Sequence, residues 1–185
     1  MTDASAPARP GRYVSGERIY LRALVPADAH GPYAAWMNDP EVLQYLESRF
    51  SPHSPERLEA WVRQHQADGA FRLFAVCLHE DDRHVGNLKL GPIDWVHRFA
   101  EVAYIIGDRA CWGRGYATEA VRLAVDYAFG ELNLRRVFAG CYAGNEGSRK
   151  VLERAGLVLE GTRRQHYFYR GRYVDELLFG RLRDE

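Results

Sequence analysis

Cysteine is scarce in this chain, and its few copies follow no pattern. The 185 residues include three, Cys77, Cys111 and Cys141, which are odd in number and form no C-x-x-C pair. Disulfide frameworks and zinc sites need regularly spaced cysteines, so neither is indicated. The seven histidines show no H-x-x-x-H spacing, and we therefore expect no bound metal.

An excess of either charge is also missing. Lys and Arg total 25 and Asp and Glu total 25, which excludes the global basic field that attracts nucleic acid or anionic membranes. No apolar run approaches the roughly 20 residues of a membrane span, and no signal-peptide core stands near the N-terminus. The composition, 46% hydrophobic and 27% charged, is typical of a compact soluble enzyme. We expect a cytoplasmic monomer or homodimer without nucleic-acid or membrane partners.

Two standard phosphate-binding motifs are absent. The chain has no G-x-x-x-x-G-K-[ST] sequence, and the residue three positions beyond Gly115 is Thr118, so no G-x-G-x-x-G is completed. These absences argue against a nucleotide triphosphatase and against a dinucleotide-dependent dehydrogenase.

A glycine-rich turn is present between a strand pattern and a helix pattern. The letters WGRGYATEA at residues 112–120 follow an apolar run at 100–107. Gly113 and Gly115 permit tight turns and close approach of a ligand, and the first turn of the next helix leaves several N–H groups without intrahelical partners. Such groups hold phosphate or pyrophosphate, so the segment predicts a nucleotide-bearing cofactor. Glycines that merely end a strand would give the same pattern.

A second segment connects this turn to a known family. It consists of NEGS at residues 145–148 and LERAGL at 152–157. Together the two segments resemble the GNAT superfamily of acetyl-CoA-dependent N-acetyltransferases, whose [QR]-x-x-G-x-[GA] signature Gly115 and Ala117 match. Trp112 replaces the usual Gln or Arg. With this tryptophan, the segment resembles the Rim-type branch, which acetylates the N-termini of ribosomal proteins. The resemblance covers about residues 17–182.

The resemblance implies a fold and a reaction. The fold is α+β, with a mixed, mostly antiparallel sheet flanked by helices and a central parallel pair that splays at the cofactor site. The reaction moves an acetyl group from the cosubstrate acetyl-CoA to a primary amine by direct attack. The implied cofactor-binding residues are Ile105, Ile106, Trp112, Gly113, Arg114, Gly115, Ala117, Thr118, Asn145 and Ser148.

Hydrophobic periodicity and turn residues predict the order of the elements. Residues 1–12 form a flexible tail, and residues 13–185 form one N-acetyltransferase domain. A first strand contains Ile19 and Leu21, and a helix runs from Pro26 through Trp36. Further predictions are helices after Asp39-Pro40 and Ser54-Pro55, strands at 71–79 and 84–90, a strand from Ala100, a helix at 117–129, a strand at 136–142, a helix at 146–154 and a closing hairpin around Arg170-Gly171.

The resemblance implies two candidate catalytic residues. Glu101 lies in the strand before the glycine turn, where some family members place a glutamate that takes the amine's proton through water; a cross-strand ion pair is the alternative. Ser148 resembles a residue that some Rim-type members use near the coenzyme sulfur; the alternative is an ordinary serine at a helix N-terminus. Leu152 stands where many members carry a tyrosine acid, and it cannot donate a proton. Asn145 either binds the pantetheine amides or caps a helix.

Acceptor identity stays open between three interpretations. A protein or peptide N-terminus fits the Rim-type motif, with Trp36, Tyr45 and Trp61 at the rim and Tyr167 and Tyr169 in the pocket or in packing. The second interpretation is a nucleotide-linked amino sugar or another small amine. The diphosphate of a nucleotide-linked acceptor would need cationic partners, and the candidates are Arg98, Arg163, Arg164 and His166. The third is a non-catalytic acetyl-CoA sensor. Cys111 beside the loop is disfavoured as an acyl carrier because the family transfers the acetyl group directly.

Overall fold

The computed structural model describes residues 11–185, so residues 1–10 of the predicted tail lie outside the described residues. The strands of its eight-stranded sheet are β1 (Arg12–Ser15), β2 (Ile19–Ala23), β3 (Arg72–Leu78), β4 (His84–Asp94), β5 (Phe99–Ile106), β6 (Arg136–Tyr142), β7 (Val158–Tyr169) and β8 (Arg172–Leu182). The α-helices are α1 (Pro32–Trp36), α2 (Pro40–Leu43), α3 (Pro55–Ala67), α4 (Tyr116–Gly130) and α5 (Glu146–Arg154), and short 3₁₀ helices cover Pro26–His30, Glu47–Phe50 and Arg109–Cys111.

The sheet is mixed and mostly antiparallel, which confirms the expected fold class. Its strands follow the order β1-β2-β3-β4-β5-β6-β8-β7. Every neighbouring pair is antiparallel except β5 and β6, which are joined through α4 and run parallel. The predicted hairpins and the helices at 117–129 and 146–154 are confirmed as β3–β4, β7–β8, α4 and α5.

The prediction of one helix from Pro26 through Trp36 is wrong. The segment divides into the 3₁₀ helix Pro26–His30 and α1, and Gly31 between them is extended, with φ −98° and ψ −152°. Pro32 follows Gly31, and a proline disfavours the helical conformation of the residue before it. The periodicity also missed β1, which begins at Arg12, inside the predicted tail, and has only one half-buried residue.

Helices cover both faces of the sheet. On one face α4 packs Ala120, Val121 and Ala124 against strand residues such as Val102 and Val137. On the other face α1, α2 and α3 pack on β2 and β3, in a cluster that contains Trp36, Leu43, Val62, Ala75 and Cys77. We call these the α4 face and the α1 face. Because side chains alternate along a strand, successive residues of β5 and β6 point to opposite faces.

The parallel pair opens toward its carboxyl ends. β5 and β6 pair only at Phe99–Arg136, Ala100–Val137 and Glu101–Phe138, although β5 continues to Ile106 and β6 to Tyr142. The described sheet therefore contains a V-shaped gap between its two central strands, as the resemblance implied. No helix in the described part of the chain is long and apolar enough to cross a membrane.

Candidate active site

The glycine turn lies beside this gap and ends in a helix N-terminus. Gly113 has φ +73° and Gly115 has φ +83°, a left-handed conformation that glycine adopts without strain. Gly115 is the N-cap of α4, and none of the described side chains caps this helix. By contrast, Ser54 and Asn145 cap α3 and α5 with their side chains. The first N–H groups of α4 are therefore free to bind an anion.

Arg18 and Glu119 hold this helix N-terminus in place. The Glu119 carboxylate accepts hydrogen bonds from the backbone N–H of Arg18 at 2.8 Å, from that of Ile19 at 3.3 Å and from Arg18 Nε at 3.0 Å. Arg18 Nη1 donates to the Arg114 carbonyl at 2.8 Å. The sequence analysis gave neither Arg18 nor Glu119 a role, because 100 residues separate the two positions and only the last one lies in the motif.

Trp112 fastens the start of the turn to the end of β5. Its indole Nε1 donates to the Ile106 carbonyl at 2.7 Å, and the side chain stays partly exposed. A tryptophan at the position of the usual Gln or Arg thus makes a contact that the motif alone did not predict.

Ser148 meets an unforeseen partner at the start of α5. Its Oγ lies 2.8 Å from the Tyr104 hydroxyl, and its N–H donates to Asn145 Oδ1 at 3.0 Å. Asn145 is therefore a helix cap in this structure. Burial raises the pKa of Tyr104 well above its usual value, so this hydroxyl keeps its proton and remains a donor. Leu152, one turn farther along α5, is fully buried.

The predicted cofactor residues gather at one end of the molecule. Ile105 and Ile106 end β5 at the gap, the residues 112–115 follow in the turn, and Ala117 and Thr118 form the first turn of α4. The contact between Tyr104 and Ser148 brings α5 to the same part of the α4 face. Their roles in binding remain predictions.

Glu101 lies elsewhere. It occupies the last paired position of the parallel strands, opposite Phe138, and its carboxylate is 3.6 Å from Lys89 Nζ on β4. It belongs to the α1 face, whereas Tyr104 and Ser148 belong to the α4 face. The structure therefore contains the ion pair, and a base role for Glu101 stays a prediction.

Four tyrosines stack on the α1 face near the end of β6. The ring centroids of Tyr142 and Tyr167 are 4.1 Å apart, and those of Tyr45 and Tyr169 are 5.1 Å apart. The Tyr142 hydroxyl donates to Glu47 and accepts from Arg49 Nη1 at 2.8 Å. Burial and the hydrogen bond to Glu47 raise the pKa of Tyr142.

Two clefts of about 510 Å³ each border the tyrosine stack. They share Tyr169, for which the sequence left pocket lining and packing open. The first is lined by Met37, Asn38, Pro40, Leu43, Gln44, Arg49, Phe50, Ser51, Pro52, Tyr169 and Arg170. The second is lined by Tyr45, Tyr142, Ala143, Gly144, Tyr169, Arg172, Tyr173, Val174 and Asp175.

Several predicted acceptor residues do not reach these clefts. Trp61 stacks on His65 within α3, with ring centroids 4.1 Å apart. Trp36 packs against Gly107, immediately beyond β5, where a Cβ would collide with the indole. Arg98 stands at the opposite, paired end of β5 and donates to the Asn133 carbonyl at 2.9 Å.

The cysteines offer no acyl carrier. Cys77, Cys111 and Cys141 are free and buried, and burial raises the pKa of Cys141 to about 11 and also that of Cys111. A thiol with a raised pKa is a poor nucleophile because the thiolate is the reactive form. Among the described residues, no group of three or more His, Cys, Asp or Glu side chains is arranged to hold a metal ion.

Comparison with known proteins identifies the family. The model of the acetyltransferase (GNAT) domain matches residues 18–158. The chain belongs to the GNAT acetyltransferase family. This acetyltransferase is 38% identical over 175 residues to the "Putative ribosomal N-acetyltransferase YdaF" of Bacillus subtilis (strain 168), which covers 91% of this chain and 93% of that protein.

Two further comparisons agree. "Uncharacterized N-acetyltransferase p20" of Bacillus licheniformis is 32% identical over 171 residues, 91% of this chain and 95% of that protein. The crystal structure of spermidine N-acetyltransferase from Vibrio cholerae in complex with CoA and spermine superposes with a TM-score of 0.80 at 29% identity, covering 90% of this chain and 96% of that one.

The acetyltransferase uses acetyl-CoA as its acetyl donor. The residues present fit that molecule: the uncapped N-terminus of α4 suits the pyrophosphate, and Gly113 faces open space, since a Cβ there would meet no atom within 4 Å. The gap between β5 and β6 leaves backbone groups of both strands free for the amides of the pantetheine arm.

Proposed function

We propose that this acetyltransferase transfers the acetyl group to the α-amine of a protein or peptide N-terminus. The observation that carries the proposal is the charge of the cleft beside the tyrosine stack. Of the described residues that line the first cleft, two are arginines, Arg49 and Arg170, and none carries a carboxylate. A peptide, which presents one amine and many carbonyl oxygens, suits such a cleft.

Polyamines suit the same cleft poorly. A polyamine carries several positive charges, and like charges in a partly desolvated site repel each other. Glu47, the carboxylate beside Arg49, already accepts a hydrogen bond from Tyr142 and lies 3.5 Å from the Arg49 guanidinium. The proposal therefore separates this chain from the spermidine acetyltransferase whose fold it shares.

The motif around the glycine turn supports the same acceptor. Residues 112–120 resemble the Rim-type branch, and the "Putative ribosomal N-acetyltransferase YdaF" is 38% identical to this chain over 175 residues. An α-amine has a pKa near 8, about two units below that of an alkylamine. The enzyme therefore needs less help from a base with this acceptor than with a lysine or a polyamine.

The chain's own residues supply binding and proton transfer. Acetyl-CoA brings an acetyl group activated as a thioester. We assign the N–H groups of α4 and the turn at 112–115 to binding its pyrophosphate, and Ile105 and Ile106 to its pantetheine arm. We assign Ser148 to the protonation of the departing sulfur, and Glu101, acting through water, is the candidate base that the family resemblance suggests. A cytoplasmic location and a monomeric or homodimeric state remain predictions.

A thiol-release assay over three classes of amine tests the acceptor. We expect the highest kcat/KM with short peptides that begin with Ala or Ser, and at least about tenfold less with spermidine and with a nucleotide-linked amino sugar, a difference of about 1.4 kcal/mol. Turnover of spermidine above that of the peptides would refute the peptide assignment. Tight binding of acetyl-CoA without turnover of any amine would indicate a sensor instead of an enzyme.

A further inference from the structure

Glu176 is an unexpected carboxylate inside the sheet. It lies on β8 directly opposite Tyr142 of β6. Its relative exposure is 5%, and among the residues that the structure describes it is the only charged one that is buried. Burying a carboxylate is costly unless it is paired and hydrogen-bonded. The sequence analysis gave Glu176 no role.

Three side chains of β7 bind this carboxylate. Glu176 Oε1 accepts from the Tyr167 hydroxyl at 2.8 Å, and Oε2 accepts from Arg163 Nη1 at 2.9 Å. His166 Nε2 lies 3.4 Å from Oε2. Burying Glu176 costs the desolvation of its carboxylate. The Arg163 side chain is 56% exposed, so solvent screens much of the attraction between Arg163 and Glu176. Stability alone is a weak reason to keep such a pair.

Glu176 stands at the gap in the sheet. A Cβ on Gly140 would collide with Glu176 Oε1, so the missing side chain at Gly140 makes room for the carboxylate. Gly140 lies in the part of β6 that has no partner on β5 in the described sheet, and it is exposed although its strand is central. The carboxylate therefore borders the open edge of β6.

The carboxylate lies on the α1 face. Val137, Ala139 and Cys141 of β6 contribute to the α4 face, so the alternating positions, Gly140 and Tyr142, belong to the other face. Glu176 shares that face with the tyrosine stack and the two clefts. The glycine turn and Ser148 lie on the α4 face, so Glu176 approaches the gap from the side opposite to them.

We propose that Glu176 receives the proton of the acceptor ammonium, and that Tyr167 positions its carboxylate. The ammonium nitrogen loses one proton to Glu176 and becomes a neutral amine, which bonds to the acetyl carbon. The carbon–sulfur bond breaks, and the sulfur takes one proton, which we assign to Ser148. A second amine proton leaves to solvent, after which Glu176 releases its proton to solvent and Ser148 takes one back from solvent, so the sum of the step is an amide, a thiol and one released proton. This inference rests on the proposed function only in that the acceptor is a primary amine.

Other charged or titratable groups surround Glu176 on β6 and β7. Burial, followed by the hydrogen bond to Glu176, raises the pKa of Tyr167 far above its usual range, so Tyr167 donates throughout the working pH range. The groups that face Glu176 are Tyr142 on β6 and Arg163, His166 and Tyr167 on β7, with Glu47 and Arg49 behind Tyr142, while Cys141 lies on the opposite face of β6.

Glu176→Gln tests the inference through its pH profile. With an Ala-starting peptide we expect kcat/KM to fall at least about tenfold near pH 7, because only about a tenth of an α-amine with a pKa of about 8 is neutral there. The loss should shrink about tenfold well above pH 8, because the amine is then already neutral. Tyr167→Phe should show a smaller loss with the same pH trend. The affinity for acetyl-CoA, measured by calorimetry, should stay within about twofold because the cofactor residues lie on the other face.

Glu160→Gln is the matched control. Glu160 on β7 is hydrogen-bonded to Arg136 and fills the space beside Gly180, as Glu176 does beside Gly140, but at the paired end of the sheet. This variant should keep the wild-type pH profile. If Glu176→Gln does not fold, Glu176→Asp, which keeps the charge but withdraws it by one methylene, takes its place with the same expectation.

Two results would overturn the inference. One is a folded Glu176 variant whose loss is the same at every pH, because a merely structural role has that signature. The other is a pH-dependent loss in Glu101→Gln with Glu176→Gln close to wild type. If peptides are not acetylated but another primary amine is, the peptide assignment fails, and the same pH test is run with that amine.

Discussion

Glu119→Ala should destabilise the protein by about 3 kcal/mol. The substitution removes three hydrogen bonds to a carboxylate whose side chain is 12% exposed, and it leaves the N–H groups of Arg18 and Ile19 without that acceptor. A buried donor left unpaired, here the Ile19 N–H, costs about 1–3 kcal/mol, and the exposed Arg18 N–H costs less because water can reach it. The half-exposed Arg18 guanidinium contributes less, about 0–1 kcal/mol. In a domain of this size the sum lowers Tm by about 6–12 °C.

The effect of Glu119 should depend on pH in a defined direction. Burial raises the pKa of Glu119, but the hydrogen bonds from the Arg18 and Ile19 N–H groups and from the Arg18 side chain outweigh it and hold this pKa below its usual value. A carboxylate with a depressed folded-state pKa contributes its full stability above the unfolded pKa of about 4.3 and loses it as the pH falls through the folded value. The Tm difference between wild type and Glu119→Ala should therefore be largest at neutral pH and should shrink below about pH 4.

Thermal unfolding of both proteins from about pH 3 to about pH 7 measures this difference. Asp126→Ala is the control, since Asp126 lies exposed on the same helix and should shift Tm by little. In addition, Glu119→Ala should weaken acetyl-CoA binding, because Arg18 then no longer fixes the Arg114 carbonyl and the turn. A Tm difference that stays constant down to about pH 3 would refute the assignment of the stability to the ionised carboxylate.

Three further predictions concern acetyl-CoA binding and Ser148 as the proton donor to the departing sulfur. Gly115→Val should weaken acetyl-CoA binding at least about tenfold, because a β-branched residue is strained at φ +83°; unchanged affinity in a folded variant, measured by calorimetry, would remove the turn from the cofactor site. Ser148→Ala should lower kcat about 100-fold with little change in acetyl-CoA affinity, and full turnover would reassign proton delivery. Acetyl-CoA at about 100 times its Kd should raise the unfolding free energy by about 2.7 kcal/mol, and no rise would contradict specific binding to the folded state.

Local signals in the sequence predicted the elements that carry the cofactor site. The bounds of β6 and α5 agree with the predicted strand at 136–142 and helix at 146–154, because hydrophobic alternation and a side-chain cap act within a few residues. The glycines at 113 and 115 likewise mark a turn by their own conformational freedom. Gly31 shows the limit of such signals, since the residue before a proline interrupted an otherwise helical pattern.

Contacts between residues far apart in the sequence were not predicted. Tyr104 and Ser148 are 44 residues apart, and Arg18 and Glu119 are 101 apart. Neither pair follows a period of 2 or 3.6, and only the sheet order brings the partners together. Glu176 escaped for the same reason, because its burial depends on Gly140, which contributes an empty position on a neighbouring strand.

The gap in the sheet explains why the proposed acid and the proposed base can serve one reaction. In a continuous sheet, side chains on opposite faces are separated by the hydrogen-bonded backbone, which buried strands keep fully paired. Between β5 and β6 the pairing ends at Glu101 and Phe138, so groups from both faces can approach the same point. Ser148 then comes from the α4 face, where the sulfur must be protonated, and Glu176 from the α1 face, where the amine arrives. Glu101 also lies on the α1 face, but it stands at the last paired position, and its carboxylate is 3.6 Å from Lys89 Nζ. Glu176 lies beyond that position, beside the exposed Gly140, and the geometry therefore favours Glu176 as the proton acceptor.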